Sequence, residues 1–161
     1  MDMTTVCYIE RDGKYLMIHR NKRPDDGNAG KWLGVGGHFE PGESPDECAL
    51  REVREETGLT LTEYAFRGVV TFVSGDWCEY MFVYTASAFE GELTDACDEG
   101  DIRWVDKASL PTLPLWAGDR VFLQLLEEDC PCFSLKLVYE GDALAAAILN
   151  GRALDIRGIV S

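Results

Sequence analysis

Apolar and polar positions divide the chain into short strand-like runs and two helical ones. Residues 4–10 and 14–20 are β-rich runs separated by Asp12-Gly13, a pair that favours a tight hairpin turn. Residues 21–31 form a polar loop with Pro24, Gly27 and Gly30, and residues 33–42 hold four glycines, so the backbone there must turn tightly or approach something closely. Ser44-Pro45-Asp46-Glu47 then announces a helix: serine caps it, proline takes the first turn, and Glu47 completes a capping box. Gly58 falls where a left-handed C-terminal cap belongs, which predicts a helix over residues 45–57. β-type runs follow at 66–73, 77–89 and 102–105, and residues 119–128 place Val121, Phe122, Leu125 and Leu126 on one helical face. Residues 132–139 return to strand. Residues 143–149 read either as helix, from their alanines, or as a strand after the Glu140-Gly141-Asp142 turn, and residues 152–161 carry no assignable pattern. With no repeat or linker, the expectation is one mixed α+β domain over residues 1–161.

Composition narrows the partners. Among 161 residues, 15 Lys and Arg face 29 Asp and Glu, a formal charge of −14. That surplus argues against a nucleic acid polymer or an anionic membrane, both of which need a basic footprint. It leaves a nucleotide open, because carboxylates hold divalent cations that in turn hold phosphates. The first fifteen residues have neither a basic region nor an apolar one, and no apolar stretch is long enough to span a membrane. Six cysteines without a CxxC pair read as reduced thiols, so a cytoplasmic location is expected and a zinc site is not.

The chemistry concentrates in residues 37–59. On the predicted helix, Glu52, Glu55 and Glu56 stand at i, i+3 and i+4, which puts three carboxylates on one side within a turn. Two readings apply: a solvated acidic face relieved by Arg51 and Arg54, or a site for a hard cation such as Mg²⁺, which wants oxygen ligands. The glycine-rich lead-in favours the second, since a glycine carbonyl, with no side chain in the way, can join the carboxylates. Arg51 and Glu43 are also placed to pair and hold the loop on the helix.

Gly37, five residues, Glu43, seven residues, Arg51-Glu52-Val53, one residue, Glu55-Glu56, one residue and Gly58-Leu59 resemble a complete signature of the Nudix hydrolases. The resemblance implies a Nudix-type α/β/α sandwich with a mixed sheet between helices. It also implies Mg²⁺-dependent hydrolysis (Mn²⁺ as a substitute) of a nucleoside diphosphate linked to another group. The implied metal ligands are Glu52, Glu55 and Glu56, with the Gly36 carbonyl and Glu99 completing the set; Arg51 supports them, and Glu52 or Glu99 serves as base. Outside the signature the chain is similar to the oxidised-purine nucleoside triphosphatase (8-oxo-dGTP diphosphatase) branch. That similarity implies a phosphate contact at Arg20, a substrate-facing loop at Gly36, Gly37 and His38, and a base pocket lined by Thr5, Leu33, Trp116 and Asp119.

Each of these has a plainer reading beside it: Arg20 as a solvated charge, Trp116 as a core aromatic, His38 as a bystander and Glu99 as part of an acidic surface loop. Two positions depart from the branch. Leu33 replaces an asparagine that reads the base edge, and Gly118 replaces the first of two aspartates. They bear on selectivity for oxidised purines and leave polyphosphate chemistry untouched. The rival expectations are hydrolysis of a nucleotide sugar or dinucleoside polyphosphate, or nucleotide binding without turnover. The protein is expected to be a monomer or homodimer.

Overall fold

A computed structural model describes residues 1–94 and 97–160. Its strands are β1 (Asp2–Arg11), β2 (Lys14–His19), β3 (Trp32–Leu33), β4 (Val35–His38), β5 (Thr60–Ser74), β6 (Trp77–Glu90), β7 (Asp101–Asp106), β8 (Phe133–Glu140), β9 (Ala143–Leu149) and β10 (Arg152–Ala153). Its α-helices are α1 (Pro45–Thr57), α2 (Ala117–Glu127) and the short α3 (Arg157–Val160), with a 3₁₀ turn at Lys107–Thr112. The strands join one mixed sheet in the order β10-β9-β8-β5-β6-β1-β2-β3, while β4 pairs with β1 and β7 with β2. β1 runs parallel to β6, and β5 parallel to β8; the other pairings are antiparallel.

The run Val6-Cys7-Tyr8-Ile9 is apolar throughout because β1 is covered on both faces. Val6 and Tyr8 pack with Met17, Val121 and Phe122 on the α2 side, whereas Cys7 and Ile9 pack with Leu16, Ala49 and Val53 on the α1 side. This gives helices on both faces of the sheet, the α/β/α arrangement expected from the resemblance.

α1 starts and stops where its sequence says. Ser44 accepts from the Glu47 amide while the Glu47 side chain accepts from the Ser44 amide, and Gly58 closes the helix at φ 80° with its amide donating to the Arg54 carbonyl. Other boundaries move. The ambiguous residues 143–149 are strand, because β8 supplies an antiparallel partner across a turn containing Gly141 at φ 61°. β5 begins at Thr60 rather than 66, since its polar first half pairs with the end of β6 through register shifts. α2 begins at Ala117, two residues early, so Asp119 falls in its first turn.

The Ser44 cap is local and its hydrogen bonds lie at the surface, so Ser44→Ala is expected to lower stability by about 1 kcal/mol, read as a shifted urea midpoint at unchanged slope.

Candidate functional site

β4 crosses between β1 and α1 with no room for side chains. A Cβ on Gly36 would lie 1.9 Å from the Thr5 carbonyl oxygen, and one on Gly37 would lie 2.6 Å from the Glu52 carboxyl group. The two glycines therefore let α1 bring its carboxylates against the strand backbone. Glu56 sits deepest: its Oε2 is buried without a hydrogen-bond partner. Burial, reinforced by the charges of Glu99 and Glu52, pushes its pKa up to about 9; Arg20 and a main-chain hydrogen bond from Gly36 act the other way. Glu52 is also raised, by burial first. Glu55 does not join them. It lies a third of a turn round the helix, its side chain is 58% exposed, and it accepts a 3.1 Å bond from Arg51.

Arg51 acts as a brace. Its Nε and Nη2 donate to Glu43 at 2.7 and 2.9 Å, Nη1 donates to Glu52 at 2.9 Å, and Nη2 also reaches the His38 carbonyl at 3.0 Å. These bonds fasten the loop before α1 to the helix and fix one side of Glu52. The Arg51 hydrogen bonds lower Glu43 to about 2.

Across from α1, Arg20 follows the end of β2 and lies 3.5 Å from Glu99 and 2.7 Å from Asp26. Gly100 presses on β2, where a Cβ would meet the His19 carbonyl oxygen at 1.9 Å, and this close packing sets Glu99 beside Arg20. The acidic loop is not simply solvated. Lys22 donates to the Cys97 carbonyl at 2.8 Å and Arg23 to Asp98 at 2.9 Å, so basic side chains from the loop after β2 hold it in place. Asp95, which belongs to the same acidic run, lies outside the described residues together with Ala96.

Glu52, Glu56 and Glu99 thus share one electrostatic neighbourhood with Arg20. Among the described residues no three acidic, histidine or cysteine side chains already form a closed cage for an ion. The donors nonetheless suit a divalent cation: an orphaned buried carboxylate oxygen beside further carboxylates is what Mg²⁺ accepts while keeping waters and phosphate oxygens in its shell.

From this end a cavity of about 480 Å³ runs to the start of α2. Arg20, Glu99, Gly36, Gly37 and His38 border it, as do Leu33, Phe72, Met81, Trp116 and Asp119. His38 is exposed at its mouth, 3.9 Å from Asp2. Trp116 is held by its Nε1 donating to Asn28 at 2.8 Å and by an edge contact with Tyr139. Asp119 is 5% exposed, and among the described residues no donor reaches its carboxylate. Burial, with the charge of Glu79, pushes its pKa up to about 7.

Period-two alternation on β1 reassigns one expected pocket residue. Thr5 borders the cavity, but its side chain points to the α1 side, 3.3 Å from Cys48 Sγ. Thr4 faces the cavity and donates to Glu79 at 2.9 Å. Gly118 gives space to Tyr139: a Cβ there would lie 2.5 Å from the Tyr139 hydroxyl, which accepts from the Gly118 amide at 2.8 Å. Thr4, Glu79, Asn28 and Tyr139 escaped the sequence reading. For Glu79 the available signal was its phase on β6, shared with Met81 and Val83.

Comparison with known proteins agrees with this geometry. The family model described as NUDIX domain matches residues 2–126. The chain is 30% identical over 133 residues to an uncharacterized Nudix hydrolase, YvcI, of Bacillus subtilis, covering 78% of this chain and 79% of that one. It is 34% identical over 126 residues to the oxidized purine nucleoside triphosphate hydrolase of Danio rerio, covering 77% and 78%. The crystal structure of a MutT protein from Bacillus halodurans superposes with a TM-score of 0.84 at 26% identity, over 93% of this chain and 98% of that one. With its box on α1 and its carboxylates gathered against β4, the chain belongs to the Nudix family. It is a hydrolase of phosphoric anhydrides in nucleoside phosphate substrates. Nudix hydrolases use divalent metal ions.

The Asp119 shift has a definite sign. A carboxyl raised from 3.8 to about 7 on folding adds stability below pH 4 that is lost as pH rises through 7. Asp119→Asn is therefore expected to flatten the fall in melting temperature between pH 5 and 8, removing at most about 1.4 kcal/mol per pH unit of slope.

Proposed function

We propose that the protein is a Mg²⁺-dependent pyrophosphohydrolase of nucleoside triphosphates, releasing a nucleoside monophosphate and pyrophosphate. The observation that carries this reading is the buried, unpartnered Glu56 oxygen beside Glu52 and Glu99, the last of which lines one end of a cavity whose other end is aromatic. The cavity is of the size that takes a single base and sugar.

In this reading Trp116 and Phe72 flank the base, and Arg20 holds the phosphate tail where it leaves the cavity. Glu52, Glu56 and Glu99, with the Gly36 carbonyl, would hold the cation, and Glu55, turned outward, accepts from Arg51 and steadies that brace. A divalent cation held by these residues, Mg²⁺ or Mn²⁺ in its place, would supply positive charge for the phosphates and lower the pKa of a water. The water's proton goes to Glu52 or Glu99. Arg51 keeps Glu52 from turning away, and burial keeps Glu56 from being satisfied by solvent.

Oxidised purine deoxynucleotides such as 8-oxo-dGTP are included among the substrates, on the strength of the Danio rerio relative's name. Leu33 and Gly118 put no polar side chain at the two positions where that branch carries an asparagine and an aspartate. Nucleotide sugars and dinucleoside polyphosphates are the rival substrates within the same chemistry. A module that only binds nucleotide would have no need of all three helix glutamates. We place the activity in the cytoplasm, in a monomer or homodimer acting on small nucleotides rather than on polymers or membranes.

Glu56→Gln is expected to lower Mg²⁺-dependent turnover by about 10³-fold or more while the far-UV spectrum and cooperative melting persist. Retained turnover would overturn the metal assignment. A panel of dNTPs, 8-oxo-dGTP, nucleotide sugars and dinucleoside polyphosphates, with products identified, separates the substrate classes.

A further inference from the structure

The cavity's base-facing wall holds a second acid besides Asp119. Glu79 lies on β6 in phase with Met81 and Val83, so its side chain points to the α2 side of the sheet and lines the same cavity as Asp119. Thr4, on β1 opposite Met81 and two residues along from the position that pairs with Glu79, donates to one Glu79 oxygen at 2.9 Å and so fixes the carboxylate in place. The basic groups nearby are turned elsewhere: His38, the one that acts on Glu79, lies 3.9 Å from Asp2 at the cavity mouth. The Lys31 ammonium sits 4.8 Å from the Trp116 ring centre, and Arg120 donates to the Leu110 and Leu113 carbonyls. Nothing among the described residues donates to Asp119, although only 5% of that residue is exposed.

Two acids from different elements therefore converge on one cavity, and among the described residues no basic group is hydrogen-bonded to either. Flat aromatic walls stack any base, so they do not choose among bases. Leu33 offers no polar group either. The acids at this end are Asp119 and Glu79; as carboxylates both accept, and a base edge that points oxygen at them is repelled, so the selection is expected above pH 7, where Asp119 is ionised.

We propose that Glu79, held by Thr4, acts with Asp119 to select nucleobases whose edge carries adjacent ring N–H and amino donors, the guanine-type edge, over those with hydrogen or oxygen in place of the amino group. This rests on the triphosphatase reading above and adds to it a substrate class and a specificity residue.

The test compares GTP, ITP and XTP, which share phosphates and sugar and differ at one ring position: amino, hydrogen or oxygen. With the purified protein and Mg²⁺, kcat/KM is expected to fall about 10- to 100-fold from GTP to ITP, as for loss of a hydrogen bond to a charged group. XTP should be poorer still. In Glu79→Ala the GTP-to-ITP ratio should shrink by about tenfold. Glu79→Gln, which keeps the shape and an acceptor for Thr4, should give an intermediate ratio. Melting curves identify any variant that is not folded. Equal kcat/KM for the three nucleotides, or a ratio unchanged in both variants, would overturn the role of Glu79 and leave hydrolysis standing. Turnover of none of the three would overturn this inference, while the triphosphatase reading falls only if the dNTPs and 8-oxo-dGTP are not hydrolysed either.

Discussion

Where β4 passes between β1 and α1, main chain and carboxylate come so close that no side chain fits at residues 36 and 37. That contact governs the rest of the site. It brings Glu52 and Glu56 onto a strand rather than into solvent, and the resulting burial raises both carboxylates. An acid surplus spread over a surface would be relieved by water. Here it is concentrated under packing that leaves one Glu56 oxygen without a partner, an arrangement that a divalent cation would relieve. The cost of assembling such a cluster is met by the well-capped helix that carries it and by Arg51, which ties helix, loop and Glu52 together.

How much of this could be read from the chain depended on how local the determinant was. α1 was legible in full because its cap, first-turn proline and terminal glycine lie within fifteen residues and act on their own neighbours. The three helix glutamates were legible as a group, yet spacing alone did not say that Glu55 would turn outward to Arg51 while Glu56 turned in. That distinction comes from where β4 lies, a contact across the fold. The same holds at residues 143–149, where alanines carry little preference and the antiparallel partner β8 decides. Thr4 and Thr5 show the limit most sharply: adjacent, chemically identical residues serve opposite faces of β1, and only the strand's phase tells them apart. Glu79 was only partly legible for a related reason: its phase on β6 marks its face, but the β1–β6 pairing is what sets it near Thr4.

Gly118 illustrates a different lesson. Beside the related branch it looks like a lost aspartate, a gap in the pocket's polar lining. In the folded protein the space belongs to the Tyr139 hydroxyl, which binds the Gly118 amide and walls the cavity from β8. A departure from a family pattern is thus better understood through the atom that fills the vacated volume than through the side chain that is missing.

The partition of the sheet has one more consequence. The carboxylates that would serve phosphate chemistry hang from α1 on one face, and Thr4, Glu79, Trp116, Asp119 and Tyr139 stand on the other, with β1 as the shared wall. Changes to the base-facing set need not disturb the packing that positions the carboxylates. The architecture therefore lets recognition drift while hydrolysis is preserved, so a lineage built on it can try new substrates without first losing its old chemistry.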